Sequence, residues 1–270
     1  VNALDFEYDG LYLSDFGLII CDFDYSDGFV TASAGSKIDF TKTSANYGRH
    51  WSLHSSKYDE CLTTTFGICK NPDLFSGQDI YLSDDLIRTI MRWLNRREFC
   101  NLIFYYWDAR DARIFHASFN VEKVYIGADV VGLQLTVETD APYGYAEEQV
   151  FNLVVSDTSE PLVIRDSSDE LGYCYPYIKI KCLEAGKLTL RNELVSSRTV
   201  VNNCEANEVI TMSGDSLIIS SSNSGHDIAN DFNYDFFKLG NTISDRDNQI
   251  YSSLRCEIEI KYSPVIKCSI

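Results

Sequence analysis

Ser83 to Asn120 reads SDDLIRTIMRWLNRREFCNLIFYYWDARDARIFHASFN. Its first part has helical spacing: Leu86, Ile87, Ile90, Met91, Trp93 and Leu94 fall on one face. Ser83 is suited to cap that helix, and Asp84 and Asp85 stand where the positive end of the helix dipole favours acid. Arg96 and Arg97 are expected to close its last turn, where cations are favoured. Phe99 to Trp107 is an apolar, aromatic run of strand length. Asp108 to Asp111 reads as a turn, and Ala112 to Asn120 as a second strand. A lone amphipathic helix leading into a hairpin implies an α+β domain with the helix packed on an antiparallel sheet.

Outward from this stretch the pattern is almost entirely β. Towards the N-terminus, Leu4 to Tyr8, Phe16 to Phe23, Lys37 to Thr41, Trp51 to Leu53 and Leu62 to Cys69 read as strands. Small residues at Thr31 to Ser36 suggest an extended arm, and Lys70 to Gln78, with Pro72 and Gly77, reads as a loop. Towards the C-terminus, Val130 to Thr139 alternates and ends at Asp140-Ala-Pro-Tyr-Gly144, which places a domain boundary near 142–150. Beyond it come Phe151–Val155, Tyr177–Cys182, Lys187–Arg191, Arg198–Val201, Val209–Met212, Leu217–Ile219 and the alternating run Leu254–Tyr262. Short strands separated by turn residues, with no helix expected among them, read as a β-sandwich.

The 270 residues are 45% hydrophobic and 13% aromatic, enough to build real cores. The formal charge is −17, and acid exceeds base in both halves, which argues against a nucleic-acid or anionic-membrane binder. Nine scattered cysteines without a CxxC pair fit a reducing compartment better than a disulfide scaffold. The first twenty residues hold Asp5, Glu7, Asp9 and Asp15 without Lys or Arg, so they do not read as a secretory signal. No apolar run reaches the ~20 residues of a membrane helix.

Catalytic signatures do not emerge: there is no GxSxG, P-loop or HExxH motif. His50 and His54 share a face at a spacing of four but lack nearby Cys or acidic ligands, so neither a metal nor a cofactor is expected. Asp22 to Gly28 and Asp245 to Asn248 each resemble the start of a calcium loop. In both, the glycine and the closing glutamate are misplaced or missing, and polar turns are the better reading. One constellation stands out. Arg88, Arg92 and Arg96, spaced i, i+4 and i+8, form a basic stripe along the helix. It reads either as a solvated face or as an oligomer interface meeting the acidic surface of a neighbouring copy.

Several segments together resemble the distal tail proteins of long-tailed, non-contractile bacteriophages. They are Phe6-Glu-Tyr-Asp-Gly10 with Ser14-Asp-Phe-Gly-Leu-Ile-Ile20, then Arg92-Trp-Leu94, Glu98-Phe99 and Leu102-Ile-Phe104. Phe115-His-Ala117 and Gly132 to Val137, closing on Asp140-Ala-Pro-Tyr143, complete the set. The resemblance spans roughly 1–145. It implies a belt-type α+β domain at 1–145 that forms a homo-oligomeric ring, a hexamer, under the tail tube. A galectin-like β-sandwich at 151–270 is implied to follow and to carry receptor-binding or other baseplate proteins. It also implies a structural, non-enzymatic protein of the virion tail tip, assembled in the host bacterial cytoplasm. The tail tube protein and tail-associated proteins are then its partners, and DNA passes without specific binding. The alternative is a lectin-like adhesion module using Tyr173, Tyr175 or Tyr177 as a sugar platform; an acidic β-rich enzyme ranks last. The second half has no tryptophan, and its only histidine is His226.

Overall fold

The computed structural model describes residues 3–23, 34–45, 48, 50–75, 80–107, 112–214 and 216–270. It divides into two compact units, 1–146 with 266–270, and 147–265. The five C-terminal residues thus belong to the first unit, where Cys268 is buried in the core.

The first unit contains β1 (Asp5–Tyr8), β2 (Leu11–Tyr12), β3 (Leu18–Cys21), β4 (Ile38–Ala45), β5 (His50–Tyr58) and β6 (Thr63–Lys70). Helix α1 (Asp84–Leu94) follows, then β7 (Cys100–Tyr105), β8 (Ile114–Ile126), β9 (Asp129–Thr139) and β10 (Gly144–Tyr145). The main sheet runs β2-β1-β7-β8-β9-β6-β3, with every neighbouring pair antiparallel. Alternation along these strands sends Phe6, Tyr8, Leu102, Phe104, Phe115, Phe119, Leu133, Leu135 and Val137 to one face. That face is covered by α1.

The helix starts as its sequence dictates. Ser83 Oγ accepts the backbone N–H of Leu86 at 3.3 Å, satisfying one orphan donor of the first turn. Ile87, Ile90, Trp93 and Leu94 are buried, each contributing about 1.5–3 kcal/mol of apolar transfer free energy. Trp93 is the centre of the contact. Its ring stacks on Phe16 and Phe6 at 4.6 and 5.5 Å, and its indole N–H donates to the carbonyl of Tyr8 at 2.8 Å. The helix ends before the arginines that were expected to close it. Asn95 leaves helical geometry at ψ 80°, and its side-chain amide donates to the Phe119 carbonyl at 2.8 Å. Arg96 and Arg97 therefore lie beyond the helix.

The second unit is a sandwich. One sheet is ordered β11-β21-β14-β17-β18 and comprises β11 (Gln149–Val155), β14 (Tyr177–Cys182), β17 (Val209–Ser213), β18 (Ile218–Ser221) and β21 (Cys256–Tyr262). The other, ordered β12-β20-β15-β16, comprises β12 (Leu162–Arg165), β15 (Gly186–Asn192), β16 (Ser197–Cys204) and β20 (Asp247–Ser252). A small pair, β13 (Gly172–Cys174) with β19 (Leu239–Asn241), stands beside them. Ile178, Ile180, Leu188, Leu190, Val201, Ile210, Ile250, Ile258 and Ile260 form the shared core. One turn of helix, α2 (Ile228–Asp231), occurs where the sequence suggested none. Four residues cannot display an apolar period, and this helix buries no residue. The strands β12, β13, β19 and β20 were not legible either: three have four residues or fewer, and β20 buries polar Asn248 and Ser252.

Candidate interaction surface

The structure separates the three arginines of the stripe. Arg88 and Arg92 are exposed on α1 and make no ion pair among the described residues. Arg96, past the helix, is half-buried and engaged within its own unit. Its guanidinium contacts Asp9 at 2.8 Å, its Nε donates to the Trp93 carbonyl at 3.0 Å, and it lies over the Tyr8 ring at 6.0 Å. Helix termination at Asn95 re-aims the backbone, so the i+8 step to Arg96 no longer lies on the stripe.

A row of exposed apolar side chains in the first unit lies on the hairpin β4–β5, where the sequence showed only the short strands Lys37–Thr41 and Trp51–Leu53. Every described side chain from Ile38 to Ser44 and from His50 to Lys57 is exposed. The register decides what this means. Ile38 pairs with Tyr58 and Phe40 with Ser56; then a bulge places both Ser55 and His54 against Thr41, and Lys42 pairs with Leu53 and Ser44 with Trp51. The extra residue switches parity on β5. Trp51 and Leu53, odd-numbered, thereby join the face of even-numbered Tyr58 and of Ile38 and Phe40. The hairpin is amphipathic, with Trp51 67%, Leu53 58%, Phe40 50% and Ile38 42% exposed on its apolar side.

Other residues singled out in the sequence have local roles. His50 and His54 are both exposed on β5, and the bulge at His54 breaks their shared spacing. In the Asp245–Asn248 segment, Asp245 accepts the N–H of Asp247, Asp247 pairs with Arg165 at 2.9 Å, and Asn248 is fully buried. This is a polar turn entering β20. Asp24 to Gly28, Thr31 to Ser33 and Asp108 to Asp111 lie outside the described residues. Tyr173 and Tyr175 meet edge-to-face at 5.6 Å, and Lys238 Nζ sits 5.3 and 5.6 Å from the two rings. The rings of the candidate sugar platform thus already hold a cation. All nine cysteines are free thiols.

The buried polar centre of the second unit was missed in the sequence. His226 and Glu208 are almost fully buried. His226 Nδ1 lies 2.5 Å from Glu208 Oε1, and Nε2 lies 3.2 Å from Asp231 Oδ2. Glu208 also accepts from Ser221 Oγ at 2.5 Å and from the Glu205 N–H at 2.7 Å. Desolvation opposes both charges, but the hydrogen bonds and mutual attraction outweigh it. The Glu208 pKa is lowered and that of His226 is raised.

A family model for a phage tail protein N-terminal domain matches residues 1–141, and one for a phage tail C-terminal domain matches 143–262. The chain belongs to this phage tail protein family. Among solved structures it is similar to the Dit protein of phage SPP1, described as a paradigm of the hub adsorption apparatus in phages infecting Gram-positive bacteria. The TM-score is 0.66 at 12% identity, covering 96% of this chain and 98% of that one. A structure of the phage p2 baseplate in its activated conformation aligns with a TM-score of 0.48 at 10% identity, covering 97% and 98%. No curated protein matches. The family is thus a phage tail family, and the mainly β fold expected from the resemblance to distal tail proteins is similar to that of SPP1 Dit.

Proposed function

We propose that this phage tail protein is a structural hub of the tail tip. In this reading the first unit assembles into a homo-oligomeric ring, a hexamer, that joins the tail tube to baseplate or receptor-binding proteins. The second unit, a galectin-like sandwich, carries those neighbours, and DNA passes through an acidic lumen that repels its phosphates. The role is structural and not catalytic. The observation that carries the reading is the hairpin β4–β5. A two-stranded ribbon with an uncovered apolar face is marginal in water by itself and gains stability when that face is buried. Head-to-tail contacts whose rotation closes make rings. Arg88 and Arg92, exposed and unpaired among the described residues, are the part of the basic stripe available to a neighbouring copy.

The test is the mass of the intact chain in solution with and without Leu53→Asp. Association of the wild-type protein, lost in the variant while its circular dichroism is retained, supports the ring. A wild-type chain that stays at the mass of one 30.6 kDa subunit at every concentration sinks it.

A further inference from the structure

We infer that the hairpin of one copy docks on an acidic, tyrosine-bearing patch on the outer face of the first strands of the main sheet of the next copy. This rests on the ring reading and names the surface that completes its contact. The acceptor patch is the outer face of β2, β1 and β7. Tyr12 and Glu7 are register partners there, and Glu7 pairs on its other side with Ile103. The rings of Tyr12 and Tyr105 are 5.6 Å apart, and both remain well exposed, at 39% and 37%. Tyr105 Oη donates to Glu7 at 2.7 Å, which fixes the ring upright at the sheet surface. Tyrosine in such a setting offers a rigid apolar face at low entropic cost.

Charge selects the occupant. Asp5, Glu7 and Asp15 around the patch have no cation partner among the described residues, whereas Asp9 is taken by Arg96. No Lys or Arg occurs between residues 1 and 20. The hairpin is the reverse. Between residues 37 and 58 the sequence has Lys37, Lys42, Arg49 and Lys57 against Asp39 alone. Lys37 pairs with Asp59 and Lys57 stands opposite Asp39 on the other face of the ribbon, while Lys42 shares the apolar face with Phe40 and Leu53 and makes no ion pair among the described residues. In a chain of net charge −17, a basic aromatic ribbon and an acidic aromatic patch are complementary where the molecule as a whole repels its copies.

The root of the hairpin stands where Tyr58 meets Tyr143 edge-to-face at 6.1 Å, whereas the patch lies on the first three strands of the sheet. Two different surfaces of one unit that meet from copy to copy make a heterologous contact, the kind that propagates.

The experiment uses two full-length variants. Trp51→Ser/Leu53→Asp disables the hairpin, and Tyr12→Asp/Glu7→Lys disables the patch. Each alone is expected to raise the association midpoint by about tenfold or more, with circular dichroism unchanged. Mixed, each variant retains one intact half of the contact, so the mixture should form a 1:1 dimer that grows no further. Glu7→Lys combined with Lys42→Glu should recover association that either reversal alone weakens. A hairpin-sensitive assembly indifferent to Tyr12→Asp/Glu7→Lys leaves the ring standing and overturns this acceptor. A mixture that stays monomeric overturns it too, and a wild-type chain that never associates overturns both readings.

Discussion

Replacing His226 with Gln removes a buried cation from between two carboxylates while keeping a side chain of similar reach. The imidazole and Glu208 have 2% and 1% of their side-chain surface exposed, so water screens little of the interaction, and Asp231 at 20% is only partly solvated. Breaking a buried pair by removing one partner costs on the order of 3–5 kcal/mol. Gln can still donate one hydrogen bond to Glu208, which puts the expected loss at the low end, about 3 kcal/mol. The same network ties the turn entering β17 through Glu208, β18 through Ser221 and α2 through Asp231, so the loss should appear as faster amide exchange across 222–231.

The pH dependence separates charge from packing. The folded pKa of His226 lies above its ordinary 6.5, so its contribution is complete below that value and is lost as pH rises through the folded pKa. Glu208 lies below its ordinary 4.5, so its contribution is complete above that value and is lost as pH falls through the folded pKa. Between 4.5 and 6.5 the pair contributes fully. Cys204, Asp231 and Glu208 are the groups whose charges act on the imidazole. Protection of 222–231, followed by hydrogen exchange with mass spectrometry, should therefore weaken from pH 6 towards alkaline pH in the wild type, beyond the intrinsic exchange rate, and much less in His226→Gln. Parallel profiles for the two proteins would falsify the assignment of a charged His226.

Further outcomes are expected elsewhere. A Cβ on Gly132 would stand 2.2 Å from Phe23 Cζ and 2.6 Å from the Ile68 carbonyl oxygen; Gly132→Ala should cost about 1–3 kcal/mol in chemical denaturation, and a loss under a few tenths would show that the Phe23 contact yields freely. Trp93→Ala empties the centre of the first core and strands the Tyr8 carbonyl, for a loss of about 3–5 kcal/mol measured in the same way. Reversing Arg88 and Arg92 to Glu should leave helix content unchanged and weaken self-association, as light scattering would read; an oligomer unchanged from low to moderate salt returns both residues to a solvated face.

The helix, most strands of both sheets and the family were legible because they rest on local signals. Ser83 with Asp84 and Asp85, and the spacing Ile87-Ile90-Trp93-Leu94, specify α1 wherever it packs. Tyr177 to Cys182 alternates as a strand with one buried face must. Three things were decided only by tertiary structure. Whether Arg96 continued the stripe depended on Asn95 finding the Phe119 carbonyl, 24 residues away in sequence. The buried centre joins Glu208, Ser221, His226 and Asp231 from four segments, each unremarkable alone. The apolar face of the hairpin is hidden in sequence because Trp51 and Leu53 are out of phase with Ser56 and Tyr58. A bulge at one position brings them into phase, and a bulge is a property of the pairing between two strands, not of either strand alone.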